Sequence, residues 1–215
     1  MPDTKLLQEI SKKGSNKEKI AEKIVKRAEL LSEIFEGLNS DKAGIRYGCE
    51  KILRIISEKE PSVLYPKIGF FIDLLDSDNK FLKWGAISIL ANLATVDSKD
   101  KFEKIFDKYF APIPGPVMIT AANVVKGAAK IALTKPELTE KITKELLKVE
   151  KAKYQTTECR NVVLGHTINS FDQFFDQIKN KEPVIRLIKK QLNNARKATR
   201  GRAKKFVKKH KVGTL

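Results

Sequence analysis

Residues 38–53 of this chain read LNSDKAGIRYGCEKIL, and residues 75–90 read LDSDNKFLKWGAISIL. At an offset of 37, six of the sixteen positions are identical and five more exchange within a chemical class: Asn/Asp, Ile/Leu, Arg/Lys, Tyr/Trp and Cys/Ala. A unit of this length holds only a pair of helices. Such a pair cannot bury both of its apolar faces alone, so copies must stack on one another.

The stripes that carry the repeat recur at three- and four-residue steps. In the first copy Leu31, Ile34, Phe35 and Leu38 precede the turn NSD, and Ile45, Cys49, Ile52, Leu53 and Ile56 follow it until Pro61 stops the helix. The second copy sets Ile68, Phe71, Ile72 and Leu75 before DSD, then Leu82, Ala86, Ile89, Leu90 and Leu93. Asp41 and Asp78 stand where a carboxylate can accept the free N–H groups that begin the second helix. Three weaker copies follow. Their second helices carry Val117, Ala121, Val124, Val125 and Ala128 behind APIPGP, with Pro116 as opener; then Cys159, Val162 and Val163; then Ala195, Thr199, Ala203, Phe206 and Val207. The first helices of these copies carry Ile105, Phe106, Tyr109 and Phe110; Ile142, Leu146 and Leu147; and Val184, Leu187, Ile188 and Leu192. The small residue that faces the partner helix is expected at Cys49, Ala86, Ala121, Cys159 and Ala203. Residues 1–27 read as an N-terminal helical cap, with Ser15 and Glu18 spaced as a capping box. The repeats are placed at about 28–61, 62–97, 101–134, 137–178 and 182–211, in one continuous domain over 28–215.

LNSDKAGIRYGC, LLDSDNKFLKWGA and LNNARKATRGRA share a leucine, a polar turn, and a branched residue and a base ahead of a small residue. On these residues the chain resembles the HEAT and armadillo-like helical-repeat families. The resemblance covers about 28–210 and implies an all-α, right-handed α-solenoid of about five helix pairs whose second helices line a concave face. In the fourth copy Thr156 stands in place of the base, and the spacing falls short of the HEAT length of roughly 40. The Trp and Gly signature of tetratricopeptides and the TPLH of ankyrins are absent.

The net charge is +17, and thirteen of those charges fall in residues 179–211, where fourteen Lys or Arg face the single acid Glu182. A field this local suits a polyanionic partner, nucleic acid first. On the final helix Arg196, Lys197, Arg200, Lys204, Lys205, Lys208 and Lys209 surround the apolar stripe. Arg200 aligns with Arg46 and Lys83, where pairing to an acidic turn residue of a neighbouring repeat is expected. Along the concave columns Lys51, Ser88, Asn123, Asn161 and Lys205 align, with Tyr47 and Trp84 four residues earlier and Arg54, Lys126 and Lys208 three residues later. Bases, amides and aromatics together suit phosphate, sugar and stacked base. The competing expectation is a solvated helix face with both aromatics half-buried between repeats.

No catalytic residue, metal site or cofactor is expected. The resemblance extends to alkylpurine DNA glycosylases built from HEAT-like repeats, which use an acid and aromatics in the groove, and here only Glu50 lies beside Tyr47 and Trp84, on what reads as an exposed face. HEAT-repeat metal hydroxylases use His-Glu pairs, and no HE occurs. His166, aligned with Ile56 and Leu93, reads as a core histidine. Gly165 belongs to no phosphate loop, and Cys49 and Cys159 read as core thiols. APIPGP reads as a loop that fixes the angle between two helices. With no run of eighteen apolar residues and no signal-peptide pattern, a cytoplasmic protein is expected. The expected function is thus a non-catalytic scaffold that binds nucleic acid, a protein adaptor being the alternative and a glycosylase the enzymatic one.

Overall fold

The computed structural model describes residues 4–213, and among them every regular element is a helix. The chain divides into two compact units, Met1–Lys101 and Phe102–Leu215. The first holds α1 (Lys5–Ser11), α2 (Lys17–Lys26), α3 (Leu31–Gly37), α4 (Ala43–Lys59), α5 (Pro61–Leu64), α6 (Ile68–Asp73) and α7 (Lys80–Leu93). After α8 (Lys101–Lys104), the second holds α9 (Phe106–Phe110), α10 (Met118–Thr134), α11 (Thr139–Leu147), α12 (Thr157–Phe174), α13 (Glu182–Lys190) and α14 (Lys197–Lys209).

The helix pairs are asymmetric. Their second members α4, α7, α10, α12 and α14 are continuous, while the first members are short and extended by 3-10 turns such as Tyr65–Lys67, Leu74–Asp76 and Pro136–Leu138. Pro66 and Pro136 lie within these turns, where a residue without an N–H cannot continue the α-helical ladder. Within the first unit α4 packs against α1, α2, α3 and α7; within the second α12 packs against α10 and α14. Ahead of the first pair lie two helices, α1 and α2, with Ile10, Ile20 and Ile24 buried.

Counted from its N-cap, the seventh residue of every second helix is sealed from solvent. These residues are Cys49, Ala86, Val124, Val163 and Ala203, each at most 1% exposed. This corrects the sequence register in the third and fourth copies by one helical turn, from Ala121 to Val124 and from Cys159 to Val163. The steps between successive copies are 37, 38, 39 and 40 residues.

The caps also differ from expectation by a residue. Asn79 rather than Asp78 caps α7, accepting from the N–H groups of Phe81 and Leu82 at 3.1 and 3.3 Å. Lys42, with no side-chain cap, precedes α4 in place of Asp41. Asn16 rather than Ser15 caps α2, accepting from Lys19 N–H at 3.0 Å. Pro116 follows a cis peptide bond and stands two residues ahead of α10, outside the helix. Ala195 is exposed and precedes α14, and Val207 and Leu192 are only half-buried.

Candidate functional site

In α4 and α14 the fourth residue of the helix fastens the turn before it. Arg46 donates to the Ser40 carbonyl at 2.8 Å and Arg200 donates to the Asn194 carbonyl at 2.6 Å, each six residues back. The sequence assigned Arg200 to an acidic residue of a neighbouring repeat. A guanidinium reaches its own turn more readily, and a charge-assisted bond of this kind is worth about 1.5–3 kcal/mol. Both arginines therefore hold the fold rather than a ligand.

In the first unit an aromatic row spans α4 and α7. Tyr47 and Trp84, both half-buried, flank Phe81 at ring-centroid distances of 5.1 and 5.2 Å. Phe81, absent from the sequence-based candidates, is 58% exposed. Arg46 lies 5.0 Å over the Tyr47 ring, and its hydrogen bond holds the Tyr47 phenol below the ordinary value. Lys51 is exposed, and Arg54 pairs with Glu50 at 3.3 Å. Glu50 is not on an exposed face: its side chain is 16% exposed and rests on Gly85, where a Cβ would come within 2.8 Å of its Cγ. Burial pushes its carboxyl upward and Arg54 opposes the shift.

In the second unit the candidate residues separate into structural and available groups. Asn161 is buried rather than exposed. Its side-chain oxygen accepts from Asn194 at 3.0 Å and its carbonyl accepts from the Thr199 hydroxyl at 2.7 Å, which ties α12 to α14. Asn123 is half-buried and Lys126 is exposed. Arg196 pairs with Glu158, and Lys209 with Asp172 at 2.9 Å. Lys197, Lys204, Lys205 and Lys208 are exposed on α14, and none of them enters an ion pair among the described residues. His210, at the end of α14, stacks between Phe175 and Phe206 at 4.6 and 4.3 Å and bonds Asp172 at 2.8 Å.

Two further expectations change. Cys49 is buried, its thiol pushed up to about 12, but Cys159 is only half-buried and lies 3.2 Å from the Thr156 hydroxyl at the start of α12. His166 is half-buried rather than in the core. Burial, followed by the charges of Lys126, Arg202 and Arg196, lowers its pKa to about 4. Because the unfolded chain takes up that proton near pH 6.5 and the folded chain does not, stability falls as the pH drops from about 6.5 towards 4. His166→Gln is expected to lose less stability than the parent between pH 7 and pH 5 in urea titrations; equal losses would refute the assigned environment.

Among the described residues no three His, Cys, Asp or Glu side chains gather as a metal set, and no helix is long and apolar enough to cross a membrane. Helix pairs with one long and one broken member define the class, a helical-repeat fold like that of armadillo and HEAT proteins. Solved structures agree on that fold. A designed armadillo repeat protein aligns over 95% of this chain and 90% of its own with a TM-score of 0.57 at 16% identity. An engineered protein aligns over 98% and 89% with a TM-score of 0.55 at 15% identity. The structure of the Pds5–Scc1 complex matches over 87% of this chain and 29% of the other, with a TM-score of 0.54 at 14% identity. The sequence matches no family model and no curated protein.

Proposed function

We propose that this chain is a non-catalytic scaffold that binds nucleic acid through the face of its second helices and the exposed side of α14. The observation that carries the reading is the set of cations on α14, Lys197, Lys204, Lys205 and Lys208, which are exposed and have no carboxylate partner among the described residues. A capping helix needs polarity for solubility, but acids serve that need as well as bases, and residues 183–213 contain none. Phosphates supply the missing counter-charge. The exposed Phe81 with Tyr47 and Trp84 adds flat apolar faces on which unpaired bases can stack.

Replacing Lys204, Lys205 and Lys208 together with Gln tests the reading. The melting temperature should hold, since all three side chains are exposed. Affinity for duplex DNA should fall for every sequence alike, and the slope of log affinity against log salt should shrink by up to about 2.7, or about 0.9 per lost contact. Unchanged affinity and slope would overturn it. The likeness to a structure of a protein complex favours a second reading, a protein partner, and binding of neither DNA nor RNA at 50 mM salt would move the assignment there.

A further inference from the structure

Gly165 creates a feature that the reading above does not use. A Cβ at this position on α12 would lie 2.5 Å from the Arg202 guanidinium and 2.7 Å from the Thr199 hydroxyl of α14. With a glycine here the guanidinium lies directly on the helix; any Cβ would displace it. The result is a half-buried Arg202 whose guanidinium lies against α12 and enters no ion pair among the described residues. The planar fork of a guanidinium matches two phosphate oxygens.

The surroundings of Arg202 match an anion. Between α12 and α14 runs a cleft of about 420 Å³, in which Asn169, Arg202 and Lys205 present donors. Its one acid, Asp172, is already engaged by Lys209 at 2.9 Å and His210 at 2.8 Å, so it does not oppose a second negative charge there. His166, next to Gly165 on α12, is close enough to Lys126 of α10, to Arg202 and to Arg196 ahead of α14 for all three to disfavour its protonation. A neutral imidazole among cations still offers one N–H to a phosphate oxygen. Lys126 and Lys205 enter no ion pair among the described residues.

We infer that Arg202, seated on Gly165 and flanked by Lys126, His166, Asn169 and Lys205, is a site for a backbone phosphodiester of a bound nucleic-acid strand. The inference rests on the nucleic-acid reading and narrows it to one phosphate position inside the α10, α12 and α14 face, distinct from the outer lysines Lys204 and Lys208.

Imidazole NMR on the full chain tests it, because His166 and His210 are the only two histidines and His166→Gln assigns the signals. A single-stranded twelve-nucleotide DNA at saturation places a negative charge beside His166. Its titration midpoint should then rise from about 4 by about 1 to 3 pH units. Arg202→Gln should weaken binding of the same oligonucleotide about tenfold and abolish the rise. Lys126→Gln, an exposed change on another helix, should weaken it less and reduce the rise. If the oligonucleotide binds with a salt-dependent affinity that both variants retain, and the His166 midpoint stays put, this site is wrong while the broader reading stands. If the oligonucleotide does not bind even at 50 mM salt, both fall together.

Discussion

Val163→Arg is expected to lower the melting midpoint by about 10 °C or more, or to abolish the cooperative transition, whereas Cys159→Arg one turn earlier shifts it by only a few degrees. Val163 has no exposed surface and belongs to α12, the helix that packs against both α10 and α14. A guanidinium there would be stripped of water without a carboxylate or carbonyl to receive it, a loss of about 4 kcal/mol or more. At Cys159 the side chain is half-buried near the start of the helix, and a long side chain can carry its charge out to water at a cost of about 1 kcal/mol. Thermal melts followed by far-UV circular dichroism check the pair. Equal effects would mean that the register counted from Thr156 is wrong.

Phe71→Ala is expected to cost about 3–5 kcal/mol, among the largest losses available to a single truncation. Phe71 is completely buried on α6, with its ring 5.8 Å from Phe35 of α3 and 5.6 Å from Phe70. Phe70 in turn meets Phe35 edge-on at 4.9 Å. These rings join the first helices of consecutive repeats, which are too short and too broken by 3-10 turns to be held by their own hydrogen bonds. Truncation therefore leaves a cavity and severs the contact between repeats. Phe81→Ala is the control: its ring is mostly in water, and its loss should cost about 1 kcal/mol or less. Urea denaturation would show a lower midpoint for Phe71→Ala at an unchanged slope. A loss comparable to that of Phe81→Ala would place the cohesion of the first helices elsewhere.

The fold was legible in the first two copies because their buried positions are large and aliphatic while the intervening ones are polar. Ile45, Ile52, Leu53 and Ile56 repeat as Leu82, Ile89, Leu90 and Leu93, and all eight are buried. The third register slipped because α10 is crowded with buried alanines, Ala121, Ala122, Ala128, Ala129 and Ala132. A search for the small residue settles on Ala121, itself sealed, one turn ahead of Val124. The fourth slipped for the opposite reason. Thr167 and Ser170 are fully enclosed on α12, their hydroxyls donating to the carbonyls of Val163 and Val125, and a hydroxyl satisfied by backbone reads in sequence as a surface residue.

The candidate site shows the same division. That α14 is basic could be read directly from residues 196–209, and the lysines at 197, 204, 205 and 208 are indeed exposed. Which bases already have partners could not, since Glu158 and Asp172 lie 38 and 37 residues before Arg196 and Lys209. Phe81 escaped notice because it falls five residues ahead of the repeat's small residue Ala86, in a position held by Gly44 in the preceding copy. Asn161 looked like a surface amide and is a buried clamp between two helices.

The sealed positions drift apart by one residue per copy, from 37 to 40, while each keeps its count from the start of its own helix. Length is thus added between one second helix and the next, never ahead of the contact inside it. For recombination this makes the cap, not the period, the unit of exchange. A helix pair cut from one place and spliced into another at matched N-caps keeps its faces in phase, whereas splicing at a constant interval rotates a helix by about 100° for each residue of error. Duplicated copies of such a chain can gain or lose loop residues freely and still dock, and in doing so they erase the fixed interval by which their common origin would be recognised.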